Sequence, residues 1–267
     1  MNIYLHEIRS LRKTAVIWTC AMVALAAMFL SIYPSMVSEA DEFKKLLGAY
    51  PPTVRAMLGI NLDYITSILG FYSMIFSFIM LCGAVQAMNL GVSILSKESR
   101  ERTADFLLVK PVSRSKIVSA KLLAALTIIF ATNVIFNVAS FLIANIVKTA
   151  DYDGKLFLMV NLTLLFVQLI FLAVGVVASV FFRKLKSVLP ISLGVVFGLY
   201  MLGALIAVGE NDDWARFISP FRYFDITYII KNAAYETQYL VMGAAVVAVS
   251  VVASYIIYNR KDIHAVS

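Results

Sequence analysis

The sequence predicts an all-α integral membrane protein with six transmembrane helices, and three observations lead there. Of its 267 residues, 61% are hydrophobic and 15% charged, with a mean hydropathy of +0.86. A soluble domain carries about 45–50% apolar and about 25% charged residues. The apolar residues fall into six segments, none of which contains Asp, Glu, Lys or Arg. The Lys and Arg residues cluster between those segments. So large an apolar excess needs lipid as well as a protein core to solvate it. With no polar block big enough to fold by itself, residues 1–267 read as a single membrane-embedded domain.

A helix needs about 20 apolar residues to cross the hydrocarbon core. Span one covers residues 15–33. Arg12-Lys13 precede it, but it outruns the about 7–15 residues of a secretory h-region, so it reads as an uncleaved span. Residues 1–13, MNIYLHEIRSLRK, interleave Ile3, Leu5, Ile8 and Leu11 with Glu7, Arg9, Arg12 and Lys13. That pattern suits an N-terminal amphipathic interfacial helix or, equally, a plain extension of span one. The connection 34–67 holds EADEFKKLLGA, Pro51-Pro52 and TVRAMLGI, which predict short interfacial helices broken at the prolines.

Spans two (68–95), three (122–147) and four (156–182) exceed the minimum and should tilt or project beyond the bilayer. Span five (188–208) contains Gly194-Val-Val-Phe-Gly198, a spacing that permits close helix approach. The stretch 209–239 is aromatic but too charged to span, with Trp214, Phe217, Phe221, Tyr223, Phe224 and Tyr228 around a Ser219-Pro220 break. It predicts two short re-entrant or interfacial helices shielded by protein. Span six covers 240–258.

The connections fix an orientation. Those on the side of the termini carry 15 Lys and Arg, against 8 on the other side. The positive-inside rule places both termini in the cytoplasm of a multi-pass plasma-membrane protein, and an even number of spans agrees in putting them on one side. The net charge of +7 is spent in these clusters. No basic stripe on a soluble face points to nucleic acid.

Catalytic chemistry has little to work with. There is no GxxxxGK[ST] phosphate loop, no HExxH and no GxSxG. His6 and His264 lie near opposite ends, and Cys20 and Cys82 sit in apolar segments without a CxxC. Proton-coupled carriers place ionisable groups inside their spans; here the spans hold only neutral ones, which argues for an energy source outside the chain. Gln86 and Asn89 in span two and Asn133 and Asn137 in span three are candidates to line a substrate path. Asn133 and Asn137, four residues apart, share a helix face. Interhelical hydrogen bonding explains the same residues without a path.

The most informative segment is the 96–121 loop, SKESRERTADFLLVKPVSRSKIVSAK. Its charges alternate in sign, and Phe106-Leu107-Leu108-Val109 follow directly between charged flanks. A solvated hairpin has no use for four consecutive apolar residues, whereas docking into a groove on a cytoplasmic partner does. Packing on the inner leaflet is the alternative. Glu98-Ser-Arg-Glu-Arg-Thr103, then Phe106-Leu107-Leu108, Pro111-Val-Ser-Arg114, Lys116-Ile117 and Lys121 make the loop similar to that of ABC type 2 (ABC-2-type) exporter permeases. Arg102 stands where members usually carry Gly. The likeness extends to the short amphipathic start, six spans, a proline-containing first outer loop and the Pro-Phe-Arg stretch before span six.

The resemblance implies a transport subunit, not an enzyme. It pairs with a second permease, identical or a paralogue, and with separately encoded cytoplasmic ATPase subunits that hold the ATP and Mg²⁺; this chain itself would carry no cofactor. The loop would be a coupling helix in an ATPase cleft, with Glu98, Glu101, Thr103, Phe106, Leu107 and Arg114 as contacts. The 209–239 helices would narrow the exit. Family substrates include drugs and antimicrobial peptides, which makes a hydrophobic or amphipathic compound the expected cargo. An ion-coupled secondary carrier or a non-transporting assembly or sensor protein is the rival reading.

Overall fold

Apolar runs without internal breakers fold as long helices, since in lipid a helix satisfies its own backbone groups. The computed structural model describes residues 3–57, 60, 62–101, 112–181, 187–206 and 216–260, with backbone alone at 53, 56, 57, 98–101 and 206. Every regular element among them is helical. Five helices are long and apolar enough to cross a membrane, and a shorter apolar helix accompanies them.

Helix α1 runs unbroken over Ile3–Leu30. It contains neither Pro nor Gly, so nothing interrupts its hydrogen-bond ladder. The N-terminal amphipathic segment is therefore the first turns of α1 rather than a separate interfacial helix, and the extension reading holds. Three short helices follow: α2 (Tyr33–Ser38), α3 (Ala40–Gly48) and α4 (Pro52–Met57). Pro34 and Pro52 both sit at helix starts, where the missing N–H costs nothing.

Helix α5 (Ile68–Glu101) has 34 residues, about 50 Å at ~1.5 Å per residue. That exceeds a hydrocarbon core of about 30 Å, so α5 carries its register beyond the apolar run. Helix α6 (Arg114–Val147) is as long and begins eight residues before the predicted span, because Ser113 caps it, its Oγ accepting from Lys116 N at 3.4 Å. Helix α7 (Gly154–Phe181) is capped by Asp153, whose Oδ1 accepts from Lys155 N at 2.8 Å. Helix α8 (Leu189–Ile206) is the shorter apolar one.

Beyond it lie a 3-10 turn (Pro220–Arg222), α9 (Ile226–Asn232) and α10 (Thr237–Arg260). Two short helices were expected either side of Ser219-Pro220; residues 209–215 of that stretch lie outside the described residues, and after the break come this turn and α9. Asp225 caps α9 by accepting from Thr227 N at 2.8 Å, and left-handed Ala233 (φ 50°) ends it.

Helices α5 and α7 form the centre, with α1 on α6 and α10 on α7. Gly91 and Gly175 meet at the α5–α7 crossing. The Gly194–Gly198 pair, from which close approach was expected, has no described atom within 4 Å of where either Cβ would stand. The outward faces of α6 and α10 expose Val134, Ile135, Val138, Val249 and Val252, an apolar surface suited to lipid. Helix α6 starts at the end of α10, where Arg114 Nη1 donates to Asn259 O at 3.4 Å, and the first turns of α1 reach the early turns of α6, where Lys121 Nζ lies 3.2 Å from Glu7 Oε1. The start of α1 and the end of α10 therefore share one end of the bundle.

Candidate functional site

A cavity of about 400 Å³ opens between α1 and α5. On α5 its wall is one stripe, Gln86, Asn89, Leu90, Ser93 and Lys97, residues spaced to fall on a single helix face. The facing stripe of α1 comprises Leu11, Thr14, Ala15 and Trp18, with Ser10 at the rim. Ile128 of α6 and the chain entering α8 close it. Lys97 Nζ donates to Ser10 Oγ at 2.6 Å and so bridges the two walls. Roughly 16 Å of helix, at ~1.5 Å per residue, separate Lys97 from Gln86.

Behind the cavity runs a buried chain of neutral polar groups. Gln86 Nε2 donates to Thr132 Oγ1 at 3.2 Å, and Thr132 Oγ1 is 3.1 Å from Thr19 Oγ1. Gln168 Nε2 donates to Gln86 Oε1 at 3.0 Å, and Asn133 Nδ2 to Gln168 Oε1 at 2.6 Å. Four helices, α1, α5, α6 and α7, are thereby linked through hydrogen bonds in a setting where unpaired polar groups are costly. Gln86 and Asn89 line the cavity. Asn133 and Asn137 are not among its lining residues; Asn137 Nδ2 donates back to Asn133 O at 2.8 Å.

Toward the termini a buried ion pair joins three helices. Lys121 Nζ lies 3.2 Å from Glu7 Oε1, with side chains 0% and 4% exposed, and donates to Ile94 O at 2.6 Å. Glu7 of α1 and Lys121 of α6 are thus tied to the last turns of α5. A charge removed from water survives only with such partners. Neither residue lies inside an apolar segment, and their pairing across the sequence is what composition could not reveal.

The expected coupling residues divide. Glu98 and Glu101 belong to the last turns of α5, described by backbone alone. Thr103, Phe106 and Leu107 lie outside the described residues. Arg114 opens α6, half-buried, with its guanidinium on the end of α10.

At the opposite end, Arg216 makes a bidentate pair with Glu236, one bond measuring 3.1 Å, and its guanidinium carbon sits 4.1 Å from the Tyr239 ring centroid. Burial alone would lower the pKa of Arg216; the hydrogen bonds and charge of Glu236 more than reverse this, so it is raised. The Tyr223 hydroxyl donates to Phe217 O at 2.7 Å and the Tyr235 hydroxyl to Met159 O at 2.8 Å. These contacts fasten the chain around the 3-10 turn and α9 to the bundle.

In the sequence alone, Lys97 reads only as an orienting charge and Trp18 only as part of a span. The shared signal was there: 86, 90, 93 and 97 recur at helical spacing on one face. A family model described as "ABC-2 family transporter protein" matches residues 1–263. No curated protein matches the chain.

Proposed function

The chain belongs to the ABC-2 transporter family, and from that premise we propose that this multi-pass membrane protein is the membrane-spanning subunit of an ATP-driven exporter of hydrophobic or amphipathic compounds. It works as one of two permeases, identical or paralogous, in a plasma membrane. Two cytoplasmic ATPase subunits supply ATP and Mg²⁺ chemistry, and no cofactor resides on this chain. Drugs or antimicrobial peptides are the preferred cargo on the family's range. The termini face the cytoplasm, α8 completes six spans, and the chain around α9 is the re-entrant element near the exit.

One observation carries this reading: α5 is continuous from the cavity to the loop. Gln86 and Asn89 in the cavity wall, and Glu98 and Glu101 beside the loop, ride on one unbroken helix. A push on the loop, where Thr103, Phe106, Leu107 and Arg114 would meet the ATPase, is transmitted along α5 and, through Lys121, to α1 and α6. Rigid elements packed in this way carry coupling between distant sites.

The test is ATP hydrolysis by the co-purified complex, comparing wild type with Glu101→Lys and Phe106→Asp. Release of the ATPase, or activity uncoupled from substrate, is expected from both. If no ATPase associates and both variants behave as wild type, the exporter reading fails in favour of a carrier or assembly protein.

A further inference from the structure

The cavity is graded along its length. At the end nearer the termini it presents the Lys97 ammonium with the Ser10 and Ser93 hydroxyls. Past these the wall turns apolar at Leu11, Leu90, Ile128 and Trp18, before the amides of Gln86 and Asn89. The lysine's state distinguishes it from its neighbour. Lys121 is neutralised by Glu7, whereas among the described side chains, which do not include those of Glu98 and Glu101, no carboxylate lies within ion-pair distance of Lys97, whose partner is a neutral hydroxyl. A cation held at the mouth of a partly apolar cavity by a hydroxyl keeps donor capacity for an anion.

We infer that this cavity binds an amphiphile with a single anionic head, phosphate or carboxylate, the head on Lys97 and Ser10 and the apolar chain along Trp18, Leu90 and Ile128. The volume of about 400 Å³ admits one head and the first part of one chain, at the small end of ligand pockets. Ser10, whose oxygen accepts from Lys97, keeps its hydroxyl proton for a phosphate or carboxylate oxygen, whereas the Ser93 hydroxyl donates to Leu90 O at 3.0 Å. The inference rests on the transport reading, which it sharpens by giving the amphipathic cargo a negative charge. The same head chemistry belongs to a bilayer lipid and to a free single-chain amphiphile, and the test separates them.

Trp18 is a built-in reporter, because the chain has only one other tryptophan, Trp214. The purified full chain carrying Trp214→Phe, in phosphatidylcholine nanodiscs, is titrated with spin-labelled quenchers. The lipid arm compares doxyl-phosphatidylglycerol with doxyl-phosphatidylcholine; the free-amphiphile arm compares doxyl-stearate with its methyl ester. Saturable quenching by an anionic probe is expected at about tenfold lower concentration than by its uncharged or zwitterionic counterpart, the contribution of one charge-assisted contact. Lys97→Gln should abolish that difference and Lys97→Arg should keep it. A preference confined to the lipid arm assigns a bilayer lipid; one in the stearate arm assigns a free amphiphile.

Quenching blind to head charge in both arms, or unchanged in Lys97→Gln, overturns the inference. ATP hydrolysis by the complex is scored separately. Anion-dependent quenching without an associated ATPase would sink the exporter reading and leave the site standing; a coupled ATPase with charge-blind quenching would do the reverse.

Discussion

Gly91 of α5 and Gly175 of α7 stand back to back: a Cβ built on either would come within 3.0 Å of the other's Cα. On Gly91 it would also lie 2.3 Å from the backbone oxygen of Leu172. Backbone atoms cannot swing aside as a side chain can, so any larger residue must part the two central helices. Gly91→Ala is expected to destabilise by about 1–3 kcal/mol, the usual range for overpacking. Gly194→Ala enters open space and, lying within α8, should leave the monomer's Tm unchanged or raise it slightly, since Ala is the better helix former. Thermal unfolding in detergent compares them, and equal shifts would refute the crossing as described.

Removing one partner of the Glu7–Lys121 pair strands the other charge. Lys121→Met should cost about 3–5 kcal/mol, and the Glu7→Leu/Lys121→Met double variant should recover much of it. A double-mutant cycle on unfolding midpoints reads this directly; additive losses would mean that the two groups do not depend on each other.

Gln168 accepts from Asn133 and donates to Gln86, so Gln168→Leu leaves polar groups on two neighbouring helices unpaired. Interhelical hydrogen bonds in membranes are worth about 0.6–2 kcal/mol, and a loss of that order is expected, with the chain still folded. Collapse of expression would show that the network does more than hold helices in register.

Alkaline pH offers a test at the other end. Burial pushes the Tyr235 phenol from about 10 up to about 12. As pH rises the unfolded chain loses this proton first, so the contribution to stability is intact below about 10 and disappears between about 10 and 12. Unfolding midpoints measured across that window should fall, and Tyr235→Phe, which has no proton to lose, should flatten the decline.

What the sequence made legible was whatever depends on local composition. Ala15–Tyr33, with its neighbours, is apolar enough to be read as a span, and Pro51-Pro52 marks the break before a short helix that starts at Pro52. Relations between helices were not legible. Gly194 and Gly198 form a recognisable motif, yet no described atom comes within 4 Å of where their Cβ atoms would stand, whereas Gly91 and Gly175 are lone glycines whose meaning exists only once α5 and α7 are paired. The site divides in the same way: Gln86 and Asn89 stood out as polar groups in apolar surroundings. Lys97 and Trp18 became part of a cavity only when α1 was laid against α5.

The Glu7–Lys121 tie also has a history within each molecule's synthesis. Glu7 and Lys121 stand 114 positions apart in the chain, with the whole of α5 between them. The carboxylate of α1 therefore cannot meet its counter-ion before α5 and the first turns of α6 have been synthesised, and this contact is among the later ones that α1 can make.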